Sequence, residues 1–380
     1  MDEKPNAVMD VTIVVTQRER FGMTELSFAN LLENTPCDLP VIYVDSGSPK
    51  SVQKYLQRLA ADGLIEWCRV DRFITPNEAR ALGLSRVKTK YAVFIDNDLV
   101  FQPGWLEHLV DCAERRDAAA VIPLTCEGWP PHSVIHQAGG QCLAVETDSA
   151  GRPASKIVDA MFHQGETVAS AADLKEMETD HLEFHCVLLR CQSVIEAGGF
   201  DAKMKSTKEH VDLAICLRKL GFSIWLVPKS VVTYVFPCKA QPVSLDDLPF
   251  LLYRWSEEFG QQSWDRLIEK HGLQVTQDFI EGKLGFYSTR RKQAIIMALC
   301  NRWPILRNET AKYRLNRLLN RYERPLHRLW FAKTKRSNKN PTAVRVITKD
   351  GQESAHLHCE ARIAHSTSAT SESKNPGAAL

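Results

Sequence analysis

Tyr91-Ala92-Val93-Phe94-Ile95-Asp96-Asn97-Asp98 is the stretch on which the reading of this chain turns. A run of nearly all apolar residues with no turn former is the pattern of a strand buried on both faces. It breaks abruptly into two carboxylates around an amide. Carboxylates crowded away from water disfavour each other's charge and call for a cation or hydrogen-bond donors. In open α/β sheets, ligands sit at the carboxyl ends of strands. An acidic pair there suits Mg²⁺ or a similar ion held against phosphate oxygens. The plainer alternative is a turn, with Asp98 near the start of a helix after Pro103.

Working outward, residues 11–15, 41–44, 64–70 and 119–122 are further apolar, largely β-branched runs that read as strands. Helical patterns lie between them. Leu26, Leu31 and Leu32 precede Pro36, and Val52, Tyr55, Leu56 and Leu59 precede Gly63. Ala79, Leu82 and Val87 follow Thr75-Pro76, where proline suits a first helical turn because it has no amide hydrogen to leave unsatisfied. Residues 103–116 read as the next helix. This alternation predicts a parallel, doubly wound α/β sheet, with right-handed crossovers placing all strand ends on one face. Asp45, Asp96 and Asp98 are then expected around one crevice.

Residues 124–175 are rich in glycine and proline and predict irregular structure or a small ribbon lining that crevice. A strand is expected at 184–189, a helical turn at 192–197 ended by Gly198-Gly199, and an amphipathic helix at 209–220 stopped by Gly221. Residues 223–227 and 231–235 read as the last strands, and 244 to 331 as helical. Beyond 334 the chain is polar and poor in aromatics, the composition of a disordered tail.

The bulk numbers exclude little. The chain has 380 residues, 44% hydrophobic and 25% charged, with a net charge of +2. That is the composition of a soluble globular protein with core to spare, and no nucleic-acid partner is expected from it. The eleven cysteines show no Cys-x-x-Cys spacing. With the polar opening 1–8, they lead to the expectation of a reducing, cytoplasmic setting. The longest apolar run, 294–300, is far too short to span a membrane.

Several motifs, in order, resemble family-2 glycosyltransferases. Asp45-Ser46-Gly47-Ser48 after a strand is similar to their nucleotide-binding turn, and Asn77-Glu78-Ala79-Arg80 with Gly83 to the helix before their metal motif. Asp96-Asn97-Asp98 followed by Pro103-Gly104-Trp105-Leu106 resembles the Asp-x-Asp metal motif and the helix after it. Gly198-Gly199-Phe200-Asp201, then Glu209-His210-Val211-Asp212-Leu213 and Arg218, resembles the acceptor-side half. The resemblance covers roughly residues 9 to 236. It implies a GT-A fold, a doubly wound, Rossmann-like mixed sheet, here with a helical C-terminal extension. The implied division is a catalytic domain over 9–243, with its nucleotide-binding half at 9–123 and its acceptor-binding half at 124–243. A basic helical extension (244–333) and a tail (334–380) follow.

The implied activity is inverting transfer of a sugar from a nucleoside-diphosphate sugar, UDP-linked or similar, to a hydroxyl of a glycan or lipid-linked acceptor. A role in cell-surface polysaccharide synthesis goes with it. Asp45 is the candidate to accept from a uracil-type imide; alternatively it caps the helix at 51. Asp96 is a candidate for the ribose hydroxyls and, with Asp98, for the Mg²⁺ or Mn²⁺ that bridges the diphosphate. Arg80 adds a cation for the same oxygens or lies on a solvated helix face. Thr16, Ser46 and Asn77 complete the donor candidates. The acceptor needs a base. His210 stands where an Asp is usual, giving Glu-His-x-Asp, and histidine is competent near neutral pH. Glu209 is the other contender, and Asp212 orients either or bonds Arg218. The bland reading is that all three charge a helix N-terminus. Ala81 and Tyr234 depart from the family's common Asn and His, His136 and Gly139-Gly140 resemble a lining loop, and His185 reads as core.

Two other classes compete: a nucleotidyltransferase making sugar nucleotides, and a non-catalytic scaffold. The first normally carries a Gly-rich basic loop after the first strand, which Thr16-Gln17-Arg18-Glu19-Arg20 is not. Near the C-terminus, Leu315, Leu318, Leu319, Tyr322, Leu326, Leu329 and Trp330 share one helical arc at 100° per residue. Arg314, Arg317, Arg321, Arg324 and Arg328 share the opposite one. Residues 313–331 thus predict either peripheral contact with the inner face of a membrane or a helix packed on the domain with a solvated basic face.

Overall fold

A computed structural model describes residues 9–36, 38–147, 153–235, 242–338, 343–349 and 354–356. The chain begins β1 (Val11–Thr16), α1 (Thr24–Glu33), β2 (Val41–Ser46), α2 (Lys50–Ala61), β3 (Glu66–Val70) and α3 (Pro76–Leu84). It continues through β4 (Tyr91–Asp96), β5 (Leu99–Phe101), α4 (Trp105–Arg116), β6 (Ala120–Glu127), β7 (Val134–Gln137), β8 (Gly140–Thr147) and β9 (Pro153–Met161). Then come β10 (Met177–Glu178), β11 (Cys186–Arg190), α5 (Cys191–Glu196), α6 (Glu209–Lys219) and β12 (Ile224–Tyr234). Helices α7 (Leu248–Arg254), α8 (Glu257–His271), α9 (Gln277–Arg302) and α10 (Glu309–Ser337) precede β13 (Val344–Ile347) and β14 (Ser354–His356).

The main sheet has the order β10-β12-β6-β11-β4-β1-β2-β3-β13-β14. Its centre is the β-branched β1, buried along its whole length and parallel to both β2 and β4. Because side chains alternate across a strand, Val11, Ile13 and Val15 enter one apolar layer with α1, α2 and α4, while Val14 enters the other with α3 and α6. Helix α3 starts with a complete capping box between Thr75 and Glu78 and lies hard against β1. A Cβ on Gly83 would stand 2.4 Å from Val14 Cγ1, so only glycine permits this approach. This is a doubly wound mixed α/β sheet.

The structure corrects the expected parallel sheet in one respect that matters. β11 runs antiparallel to β4 and β6, so its beginning, not its end, reaches the crevice. The last two expected strands form one, β12, with an irregularity between Val227 and Val231. The turn-rich segment forms the expected ribbon, β8 paired with β9. Leu32 and Leu64 are exposed rather than core, and Val87 lies beyond α3. β13 pairs antiparallel with β3, which brings part of the segment read as a disordered tail into the sheet. The polar opening 1–8 and residues 357–380 lie outside the described residues.

Among the described residues no helix is long and apolar enough to cross a membrane. Helices α7 to α9 pack on the layers of the main sheet through Phe250, Trp264, Leu267 and Ile280, and α10 packs on them. Arg291 of α9 is wholly buried, and its Nε donates to Glu323 Oε1 of α10 at 2.5 Å while its Nη1 donates to the Trp255 carbonyl at 2.5 Å. Glu323 Oε2 also accepts from Ser288 Oγ at 2.7 Å. Helix α10 therefore docks through Glu323, His327 and Phe331, with Trp330 packed beside them, while Leu318, Tyr322, Leu326 and Leu329 of the leucine arc stay exposed. Glu323→Ala strands the Arg291 charge in the interior, and urea unfolding should show a loss of about 3–5 kcal/mol.

Candidate active site

The strand order reverses between β1 and β4, the place where open α/β sheets bind ligands. Thr16 and Asp96 are register partners there. Asn97 ties the two following loops together. Its Oδ1 accepts from the Arg18 backbone N–H at 2.8 Å, and its Nδ2 donates to the Arg20 carbonyl at 3.2 Å and to Thr24 Oγ1 at 3.1 Å.

The two carboxylates of the motif have opposite surroundings. Asp96 Oδ2 lies 2.8 Å from Arg18 Nη1 and 3.0 Å from His185 Nδ1. Burial works to raise its pKa, but Arg18 and His185 outweigh burial and hold it below the usual carboxylate range. Asp98 is fully buried, and neither of its oxygens has a hydrogen-bond partner among the described residues. Burial, and then the Asp96 charge, push its pKa well above the usual range. A buried carboxylate without donors is what a divalent cation completes. Asp98 therefore fits a metal ligand, whereas Asp96 is occupied by Arg18 and His185.

Asp45 is fully buried at the end of β2 and does not cap α2, whose start at Pro49 has no side-chain cap. It accepts from Gln17 Nε2 at 2.7 Å, Trp67 Nε1 at 3.1 Å, Arg69 Nη1 at 2.7 Å and Ser48 Oγ at 2.9 Å. Arg69 is its register partner on β3, which is why the pair meets. Ser46 Oγ accepts from the Ile74 N–H at 2.8 Å and donates to the Arg72 carbonyl at 3.0 Å, fixing the entry to α3.

On α3, Arg80 is buried rather than on a solvated face. Its Nη1 is 3.2 Å from Glu209 Oε1, and its guanidinium lies 3.8 Å from the centre of the Phe184 ring. Burial, only partly offset by Glu209 and Asp96, lowers its pKa. Asn77 Nδ2 donates to the Asp201 carbonyl at 3.0 Å and thereby joins the two halves.

The start of α6 borders a cavity of about 400 Å³. Arg18, Arg80, Asp159, Glu183, Glu209 and His210 supply its charged wall, and Trp255, Trp264, Phe286 and Tyr287 its aromatic one. Thr207 and Lys208 precede α6 with φ of 57° and 62°, left-handed values that cost energy in non-glycine residues. The helical extension holds this turn. Ser263 Oγ accepts from the backbone N–H groups of Lys205 and Ser206 at 3.0 and 2.9 Å, and Tyr287 Oη meets Thr207 Oγ1 at 2.5 Å.

His210 Nε2 is 3.6 Å from Asp159 Oδ1, which also meets His181 Nε2 at 3.2 Å; Lys208 pairs with the other Asp159 oxygen. Burial works to lower the His210 pKa, but Glu183 and Asp159 outweigh it and raise it. For Glu209, burial is outweighed by Arg80, Arg254 and His210, and its pKa falls. Asp212 is not with them. It points to α8, where it meets Lys270 Nζ at 2.8 Å and His271 Nε2 at 2.7 Å, and Arg218 pairs instead with Glu178 and Asp180.

Sequence reasoning missed several residues of the site. His185, read as core, abuts Asp96 and stacks on Tyr234 with centroids 4.3 Å apart, because antiparallel β11 delivers it to the crevice. In the sequence, Gln17 and Arg18 stand out only as part of a segment that is not a Gly-rich basic loop. Their place directly after the central strand is the signal that marks them. Asp159 and Glu183, in or beside the ribbon, carry no local motif.

Residues 12–128 match the model of the Glycosyl transferase family 2, the family that the motifs resemble. No curated protein matches the chain. Among solved structures, one similar chain is GalNAc-T7 with UDP, GalNAc and Mn²⁺, at TM-score 0.45 and 14% identity over 73% of this chain and 56% of that one. Another is the mannosyltransferase PcManGT from Pyrobaculum calidifontis in complex with GDP-Man and Mn²⁺, at TM-score 0.45 and 13% identity over 87% and 85% of the two chains. This chain thus spans little more than half the length of the GalNAc-T7 chain.

The orphaned Asp98 has a consequence for stability. A carboxyl whose pKa is higher folded than unfolded costs stability once pH exceeds its unfolded value, and the cost grows until the folded value is passed. Metal-free Asp98→Asn should therefore be more stable than the wild type at pH 8, on the order of 2–4 kcal/mol, with the gap narrowing toward pH 5. Mn²⁺ should raise the urea midpoint of the wild type and leave that of Asp98→Asn unchanged.

Proposed function

We propose that this chain is a metal-dependent, inverting glycosyltransferase that moves a sugar from a nucleoside-diphosphate donor to a glycan hydroxyl. The observation that carries the reading is the buried Asp98 carboxylate, without a hydrogen-bond partner among the described residues at the strand-order reversal, where Arg18 reaches from Asp96 to a cavity that holds a histidine–carboxylate pair. Asp45 supports the base and Asp96 the ribose, while Thr16, Ser46 and Asn77 shape that side of the crevice. Asp98 holds a Mg²⁺ or Mn²⁺ ion, which when bound stabilises negative charge on the leaving diphosphate. Arg18 and Arg80, both reaching the cavity, add fixed cations for the same oxygens.

On the acceptor side, His210 takes the hydroxyl proton as the acceptor oxygen bonds to the anomeric carbon and the carbon–oxygen bond to the diphosphate breaks. Attack from the face opposite the leaving group inverts that carbon. Asp159 orients the imidazole and stabilises its protonated form, the role a carboxylate plays behind a catalytic histidine. Glu209 is held by Arg80, which keeps it ionised and makes it the weaker base. Trp255, Trp264 and Phe286 give a sugar ring apolar faces to pack on, with charged groups between them for its hydroxyls.

Titration of UDP and GDP with and without Mn²⁺ tests the donor half. Binding should require the metal and vanish in Asp98→Ala, with turnover falling by on the order of 10²–10³. Nucleotide binding that ignores both metal and Asp98 refutes it. The pH profile at saturating Mn²⁺ separates the two bases. Proton transfer to His210 gives kcat/KM an acid limb above the ordinary histidine value of about 6.5, because its pKa is raised. Transfer to Glu209, whose pKa is lowered, would leave the rate flat from about pH 5.5 upward.

A further inference from the structure

Only part of the leucine arc of α10 is exposed among the described residues: Leu315 and Leu319 are half-buried, and Trp330 packs against the cluster of Tyr253, Phe259 and Phe331. The helix is held by Glu323, His327 and Phe331, which are buried, while Leu318, Leu326 and Leu329 are 56%, 62% and 71% exposed. At 100° per residue the three leucines and Tyr322 fall on one stripe, about a third of the circumference away from the docking face. Glu309 to Tyr322, the first half of α10, contributes no buried residue. The turn that joins α9 to α10 presents Trp303 and, at 81% exposure, Ile305. The α9–α10 hairpin thus carries an apolar stripe and an apolar tip on its outer side.

Along α10 its charge is mainly positive, although Lys312 pairs with Glu309, Arg324 and Arg328 with Glu257, and Lys335 with Glu258. Residues 312–336 contain nine lysines and arginines against a single acid, Glu323, which is buried with Arg291. Arg314, Arg317 and Arg321 are exposed along the flank of the apolar stripe, and Arg302 and Arg307 are exposed beside the tip. Pairing this stripe with the same stripe of a second copy would set two strongly cationic faces against each other. A surface that is apolar within and anionic at its boundary satisfies both features, and that is an anionic lipid bilayer.

We infer that the outer face of the α9–α10 hairpin docks on an anionic membrane surface, with Leu318, Tyr322, Leu326 and Leu329 entering the acyl boundary and the arginines meeting lipid phosphates. This stands on the exposed stripe and its charge and is independent of the donor-site reading. Lysines and arginines with long apolar stems are suited to such a boundary because the charge stays in the headgroup layer. The same helix α9 supplies Lys283, Phe286 and Tyr287 to the cavity, so docking would bring that cavity close to the bilayer.

Sedimentation of the full-length chain with vesicles tests the inference. The wild type should bind phosphatidylcholine vesicles that contain about one-third phosphatidylglycerol, bind pure phosphatidylcholine far more weakly, and be released by high salt. Leu326→Glu with Leu329→Glu should lower partitioning at least about tenfold. Arg317→Glu with Arg321→Glu should lower it by a similar factor. All four positions are exposed, so thermal unfolding followed by circular dichroism should be unchanged in both variants. Failure of the wild type to bind the anionic vesicles overturns the proposal, as does equal binding by both double variants. Light scattering that shows a dimer, lost in the leucine variant, with no vesicle binding, assigns the stripe to a second copy instead.

Discussion

Two carboxylates two residues apart at the end of a buried strand cannot both be left to themselves. Here the fold resolves that conflict unevenly. Asp96 receives Arg18 and His185, one from the loop after β1 and one from the start of β11. Asp98 receives nothing among the described side chains. The asymmetry holds one acid ionised and leaves the other without a donor, the place the proposed function gives to a cation. Much of the site follows from this. Asn97 locks the two loops that bring Arg18 in, and Arg18 in turn reaches from Asp96 into the cavity.

The helical extension is structural support for the chemistry. The left-handed turn at Thr207 and Lys208 aims Lys208, Glu209 and His210 into the cavity, and such a turn persists only where its surroundings over-determine it. Ser263 of α8 and Tyr287 of α9 supply those restraints. Helix α9 is itself pinned through Arg291 to α7, α8 and α10. Burying a charged pair at that junction offers little net stability over apolar packing. It does set the angle of α9 to the cavity, because a guanidinium accepts only a narrow range of partner geometries.

The first 123 residues were legible because their signals are local. β-Branched runs, helical spacing and an abrupt acidic stop mark strands and their ends, so the ends of β2 and β4, with Asp45 and Asp96, could be placed on one side of the sheet. What lay hidden depends on pairing partners far apart in the chain. His185 looks like core in a strand assumed parallel, and only the antiparallel direction of β11 turns it toward Asp96. Asp159 sits on a ribbon strand whose sequence has no motif, and it meets His210 through the fold. Asp212, two residues from His210, faces the other side of α6, because two residues along a helix point nearly opposite ways. Helix α10 shows the converse. Its periodicity was plain, but the stripe that looked like a docking face is one the fold leaves partly exposed.

The most direct test of this account is an anomalous difference map from crystals of the protein grown with Mn²⁺ and a nucleoside diphosphate. The account predicts one strong manganese peak on the Asp98 carboxylate, with the diphosphate beside it. A peak at Asp159, His181 and His210, with Asp98 still without a partner, would contradict it.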